Sequence, residues 1–199
     1  VSGVIDYSPF GTSPIVSMTT TAGTSLSIGA TTTEIYSLSG SGALNLGTGA
    51  LTVGASNTNT TYGGVISGTT GSLTKIGTGT LTLSTGNTYT GMTNINGGIL
   101  IVASVQALGA ANATPALGMV TVNSGGTLDM QAAMTVIKPL TLNGGTLQNG
   151  GTAGTYPGTI NLTADSFINV PNTGLGLTLS GIISNSGGNF GLTKNGSGK

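Results

Sequence analysis

Gly71-Ser-Leu-Thr-Lys-Ile-Gly-Thr-Gly-Thr-Leu-Thr-Leu-Ser84, with Asn87-Thr-Tyr-Thr-Gly-Met-Thr-Asn-Ile-Asn-Gly-Gly-Ile-Leu100 close behind it, is the stretch whose reading decides the fold. Short runs of alternating apolar residue and threonine are separated by glycine turns. In Thr80-Leu-Thr-Leu83 the period of two sends Leu81 and Leu83 to one side and the threonines to the other. Val120 and Val122 alternate with Thr121 in the same way. Glycine-initiated units recur at Gly97-Gly-Ile-Leu100, Gly125-Gly-Thr-Leu128 and Gly144-Gly-Thr-Leu147. Each glycine pair makes a tight corner that leads into a strand. The intervals between them suit the coil of a solenoid, in which one coil cannot bury its own apolar face and stacked coils make a continuous core. The predicted fold is all-β: a single-stranded, right-handed parallel β-helix of roughly eight coils, on the order of 40 Å long.

Composition agrees. Glycine supplies 37 of 199 residues without the strict three-residue period of collagen. Four Lys+Arg face four Asp+Glu, and cysteine and histidine are absent. No disulfide or thiolate metal site can form, so stability rests on packing and backbone pairing. So few charges leave no basic groove, which argues against nucleic acid as a partner. No run is long enough for a membrane helix, and no direct membrane insertion is expected of this segment. The chain reads as one solenoid segment, 1–199, of a larger protein. Within it 1–41 forms irregular early coils, 64–100 is the best-matching repeat, 101–118 is an insert, and 181–199 starts another repeat.

Two alignments within the chain carry further expectations. Gly47-Thr-Gly-Ala-Leu foreshadows Gly77-Thr-Gly-Thr-Leu, and Leu192-Thr-Lys194 restarts Leu73-Thr-Lys75 near the end of the chain. On this reading Lys75 and Lys194 hold the same repeat position. Both are expected as outward strand residues that discourage edge pairing, with ligand contact as the alternative. Tyr62 and Tyr89 are expected as corner rings over neighbouring glycines, with carbohydrate stacking as the alternative. Tyr7, Phe10 and Tyr36 are candidate exposed contacts.

Catalysis finds little to work with. The carboxylates are Asp6, Glu34, Asp129 and Asp165. Asp129 and Asp165 are the one pair that coil stacking could bring to glycosidase separation, and they are expected instead as solvated corner residues. No histidine is available as a base. Gly77-Thr-Gly-Thr-Leu lacks the Lys-Ser/Thr ending and helix of a phosphate loop. No enzyme, cofactor or metal is expected, and any ligand-binding residue is unknown. Thr-x-Thr pairs at 78–80, 80–82 and 88–90 raise ice binding, but they keep no constant period.

The stretch 71–100 resembles the passenger-associated transport repeat of bacterial autotransporters. The residues that carry the likeness are Gly71, Leu73, Lys75, Gly77, Gly79, Leu81, Leu83, Asn87, Tyr89, Gly91, Gly97, Gly98 and Leu100, with Lys194 beginning a second copy. The resemblance implies an outer-membrane-displayed or extracellular passenger, structural and adhesive, whose repeat aids secretion and folding. Its implied partners are a host-cell, matrix or neighbouring-cell receptor or glycan. Self-association into a surface fibre or sheath is the alternative.

Overall fold

A computed structural model describes residues 17–23, 25–30, 32–110, 118–132, 138–152 and 154–199. Among them there is no helix, and none long and apolar enough to cross a membrane. The chain winds through three faces. An eight-stranded sheet takes one strand from each successive coil: Thr32–Ile35, Ala50–Val53, Ser72–Lys75, Thr93–Ile95, Val120–Asn123, Leu140–Asn143, Ile160–Ala164 and Ile183–Asn185. The strand that follows each of these around the next corner joins a nine-stranded sheet, which begins with Ser17–Thr20 and ends with Leu192–Asn195. Among the described residues the third face is paired near the two ends, by Ser25–Ser27, Ala43–Asn45 and Ile66–Ser67, and by Gly154–Tyr156 with Leu177–Leu179. The pairs within these sheets are parallel. This is the expected β-solenoid of about eight coils.

Period-two alternation turns this winding into a core. On the eight-stranded sheet Leu51, Leu73, Thr93, Val120, Leu140 and Ile160 stack in register. On the nine-stranded sheet Leu81, Leu100, Leu128, Leu147 and Ile168 do the same. All are buried. Each such leucine contributes about 1.5–3 kcal/mol relative to exposure, and each coil gains that burial only from its neighbours. Between the inward positions, Thr52, Thr74, Asn94, Thr121, Thr141 and Asn161 form an outward column.

The glycine pairs all turn the same corner, from the eight-stranded to the nine-stranded sheet. Gly98, Gly125 and Gly144 have φ of 62°, 82° and 80°, where a side chain is strained. The register Leu100–Leu128–Leu147 follows directly from them.

The two longer alignments do not superimpose as coils. Leu73-Thr-Lys75 lies on the eight-stranded sheet, whereas Leu192-Thr-Lys194 lies on the nine-stranded one. Ala50–Val53, following Gly47-Thr-Gly, sits on the eight-stranded sheet; Thr80–Leu83, following Gly77-Thr-Gly, sits on the nine-stranded sheet. The in-register steps from Leu51 to Leu73 and from Leu73 to Thr93 each make one coil. The offset from Gly47 to Gly77 is longer than either, and amounts to one coil plus one face. The same strand-and-turn phrase is reused on different faces, so the equivalence expected of Lys75 and Lys194 is corrected.

Candidate functional site

The densest set of unusual contacts lies where residues 71–109 wrap the middle of the solenoid. Its first feature is a lysine on the wrong side of the expected strand. Lys75 follows Leu73 and Thr74 in alternation, so its side chain enters the lumen, where it is 1% exposed. An ammonium group there needs acceptors. It donates to the carbonyls of Ile76 at 2.7 Å and Gly77 at 3.3 Å in its own turn, and to Gly97 at 3.2 Å in the next coil. Burial lowers its pKa from 10.5 to about 8, while the three carbonyls favour the charged form. The expectation of an outward, edge-protecting lysine is thus overturned. Lys194 repeats the local half of this arrangement on the other sheet, donating to Asn195 and Gly196 carbonyls at 3.1 and 2.7 Å, and is exposed.

The second feature replaces a strand. Asn87-Thr-Tyr-Thr-Gly91 crosses the third face without a ladder of its own. Asn87, 1% exposed, instead accepts from Ile66 N at 2.8 Å and donates to Ala107 O at 2.6 Å, joining the coils on either side. Thr88 and Thr90 donate their amides to Ile66 and Gly68 carbonyls, and the Thr90 hydroxyl donates to Thr69 O. Gly91 allows a close approach to the preceding coil. A Cβ there would lie 2.3 Å from Gly71 O, so only glycine fits.

Tyr89 fills the lumen behind this segment. It is 0% exposed, its hydroxyl lies 2.7 Å from Thr93 Oγ1, and its ring lies against Gly109. Burial raises its pKa, with the Thr93 hydrogen bond acting the other way. Tyr62 is equally enclosed, donating to Gly42 O at 2.5 Å, and Tyr156 donates to Lys138 O at 2.8 Å. Neither Tyr62 nor Tyr89 can stack on a carbohydrate. They are lumen fillers rather than corner rings, though Gly64 does lie against the Tyr62 ring. Tyr36 is half-buried, and Tyr7 and Phe10 lie outside the described residues.

Sequence reasoning did not single out Lys138. It is 1% exposed, its Nζ has no hydrogen-bond partner among the described residues, and it stands 5.5 Å from the centroid of the Tyr89 ring. Burial lowers its pKa from 10.5 to about 8. The signal available was its place beside an inward-facing strand, just before Leu140.

The remaining matched residues are structural. Leu73, Leu81, Leu83 and Leu100 are core, while Gly71, Gly77, Gly79, Gly97 and Gly98 are turns pressed against the preceding coil's backbone.

The two carboxylates do not form a catalytic pair. Asp129 is 4% exposed, not solvated. It accepts Gly150 N at 2.8 Å and Gln131 Nε2 at 3.3 Å. Asp165 is an exposed corner residue accepting Gly191 N at 2.6 Å. Asp129 aligns with Gln148 and then Asn169, which lies one strand length past Asp165. Two coils and that strand separate them by about 15 Å, beyond the glycosidase range. Among the described residues no three His, Cys, Asp or Glu side chains gather as a metal site.

Comparison with known proteins agrees with this geometry. No curated protein and no solved structure matches the chain. Residues 73–102, from the strand of Lys75 through the Asn87 crossing to the strand of Leu100, match the family model described as passenger-associated-transport-repeat.

Proposed function

We propose that this chain is a non-catalytic, structural and adhesive stalk of an autotransporter passenger, carried outside the cell, in which residues 73–102 aid secretion and folding. The match over 73–102 within a β-solenoid carries the reading. That repeat family is associated with passenger transport and with a cell-surface or extracellular location. The internal physics supports the secretory role. Lys75 and Asn87 each present hydrogen-bonding groups that the following coil completes, through Gly97 O and Ala107 O. A chain emerging unfolded could therefore add coils in order, each templated on the last.

The test is to delete 73–102 from the parent protein on its native cells and follow surface appearance and adherence. Slower appearance is expected; unchanged kinetics would sink the secretory role. Retained adherence after removal of the whole segment would sink the adhesive one.

A self-associating fibre or sheath is the second reading. Monomeric behaviour of the intact protein at all concentrations would count against it.

A further inference from the structure

We infer that the outer surface of the eight-stranded sheet, between Met92 and Ser186, is a binding face for a neutral polysaccharide chain laid along the solenoid axis. The inference deepens the adhesive reading and rests on it.

Three parallel columns make this face. At one edge runs an amide ladder. Thr163 Oγ1 donates to Asn143 Oδ1 at 3.2 Å, Asn143 Nδ2 to Asn123 Oδ1 at 2.8 Å, and Asn123 Nδ2 to Asn96 Oδ1 at 2.7 Å. The donors all point the same way along the axis. Each of Asn123 and Asn143 gives one amide N–H to its neighbour and keeps a second for a ligand. In the middle column Asn94, Thr121, Thr141 and Asn161 stand in register. The Asn161 carboxamide oxygen is held by Ser184 and Ser186 at 3.2 and 2.7 Å.

At the other edge lies a largely apolar column. Met92, Met119, Pro139, Thr159 and Ile182 each precede an inward strand residue in successive coils, their carbonyls accept from the coil before, and all but Thr159 are apolar. Met92 is 41% exposed and Ile182 74%, two of the largest exposed apolar side chains described.

None of the three columns contains a charged residue. Lys75 and Lys138 are buried, and the nearest acid, Asp165 at the corner, has an oxygen occupied by Gly191 N. An ionic partner finds no counter-charge here. A pyranose offers what the face complements: C–H surface for the methionine and proline side, and hydroxyls that both donate and accept for the amide side. Repetition suits a polymer, because each coil presents the next set of groups about 4.8 Å further along. The ladder also holds its side chains in place before binding, which reduces the ordering entropy lost on association.

The experiment uses the full chain and neutral linear probes, cellohexaose, chitohexaose and mannohexaose, titrated by calorimetry beside anionic polygalacturonate. Binding of at least one neutral hexaose, unchanged between low and high salt, is expected. Asn123→Asp and Met92→Lys should each weaken it about tenfold, while Thr82→Lys on the opposite sheet leaves it intact. Circular dichroism confirms that each variant is folded. No binding of any neutral probe by the folded chain overturns the inference, as does equal loss in Thr82→Lys. So does concentration-dependent self-association abolished by Asn123→Asp without sugar binding, which would assign the face to a second copy. Thermal hysteresis without sugar binding would assign it to ice. Adherence of cells displaying the same variants separates the two levels. Adherence kept by folded Asn123→Asp removes this face and leaves the adhesive reading standing. Sugar binding by a chain whose cells adhere to nothing does the reverse.

Discussion

Two lysines are buried in one lumen, and their surroundings differ in the respect that matters most for a cation. Around Lys75 three carbonyls converge from its own turn and the next coil, so the charge staples two coils together. Around Lys138 no acceptor is found among the described residues, and the amine faces the Tyr89 ring at 5.5 Å. Depth alone does not separate them, for both are 1% exposed. What separates them is whether backbone carbonyls already point inward at a glycine corner. Lys75 stands beside such a corner at Gly77, whereas the Lys138 carbonyl is taken by Tyr156 and its amine reaches aromatic surface. A solenoid lumen thus tolerates charge where its turns leave acceptors unspent.

The sharpest way to break this contrast is to remove the ring between the two regions. Tyr89→Ala should destabilise the chain by about 3–5 kcal/mol through the cavity it leaves, measured by urea denaturation. A loss below about 1 kcal/mol would mean that the lumen collapses around the gap.

The lysines themselves should then move stability in opposite directions. Lys75→Met strands three carbonyls and should cost about 2–3 kcal/mol. Lys138→Met removes a buried amine with no hydrogen-bond partner among the described residues and should stabilise by about 1 kcal/mol. Equal signs in the two denaturation curves would refute the distinction drawn here.

Titration sharpens it further. Both lysines have folded pKa values of about 8 against 10.5 for the free side chain. The unfolded chain therefore binds more protons between those values, and stability should rise with pH across that window. Below pH 8 the penalty is fully present and the curve is flat. Above pH 10 the raised pKa of buried Tyr89 and Tyr156 reverses the slope, because the unfolded tyrosines ionise first. The melting temperature should thus peak near pH 10, with a rise of roughly a few degrees. Lys138→Met should flatten part of that rise; an unaltered profile would show that the amine does not titrate in the fold.

The smallest effect is expected outside the lumen. Asn143→Ala breaks two exposed ladder hydrogen bonds and should change stability by less than about 1 kcal/mol, in contrast to Asn87→Ala, whose buried amide bridges two coils and should cost about 2 kcal/mol.

Much of the architecture was legible in the residues. Thr80–Leu83 and Val120–Val122 announced their inward and outward sides by alternation, and the glycine pairs before Leu100, Leu128 and Leu147 marked one corner on successive coils. The same alternation placed Lys75 inward with Leu73. Its charge argued for the surface, and only the converging carbonyls of a turn and a neighbouring coil decide the matter. Asp129 likewise points outward between Leu128 and Met130, and is covered by Gln131 beside it and by Gly150 from the next coil. Asn87 was visible as a motif letter but not as a bridge, since a side chain that substitutes for a strand leaves no periodicity. The reuse of one phrase on two faces was hidden for a related reason: spacing along a chain does not distinguish a full coil from a coil and a third.

The unequal lengths of successive coils have a consequence for how such a chain can change over generations. More chain runs from Thr93 to its partner Val120 than from Val120 to its partner Leu140, yet both pairs keep the same register and the same inward positions. The additional length leaves the two long sheets undisturbed. Insertions and deletions between Ala110 and Gly118 are therefore close to neutral for the ladders, whereas a single-residue change within Thr93–Ile95 would invert every side chain that follows in that strand. The connections between the two long sheets are where this molecule can acquire new segments without relearning how to fold.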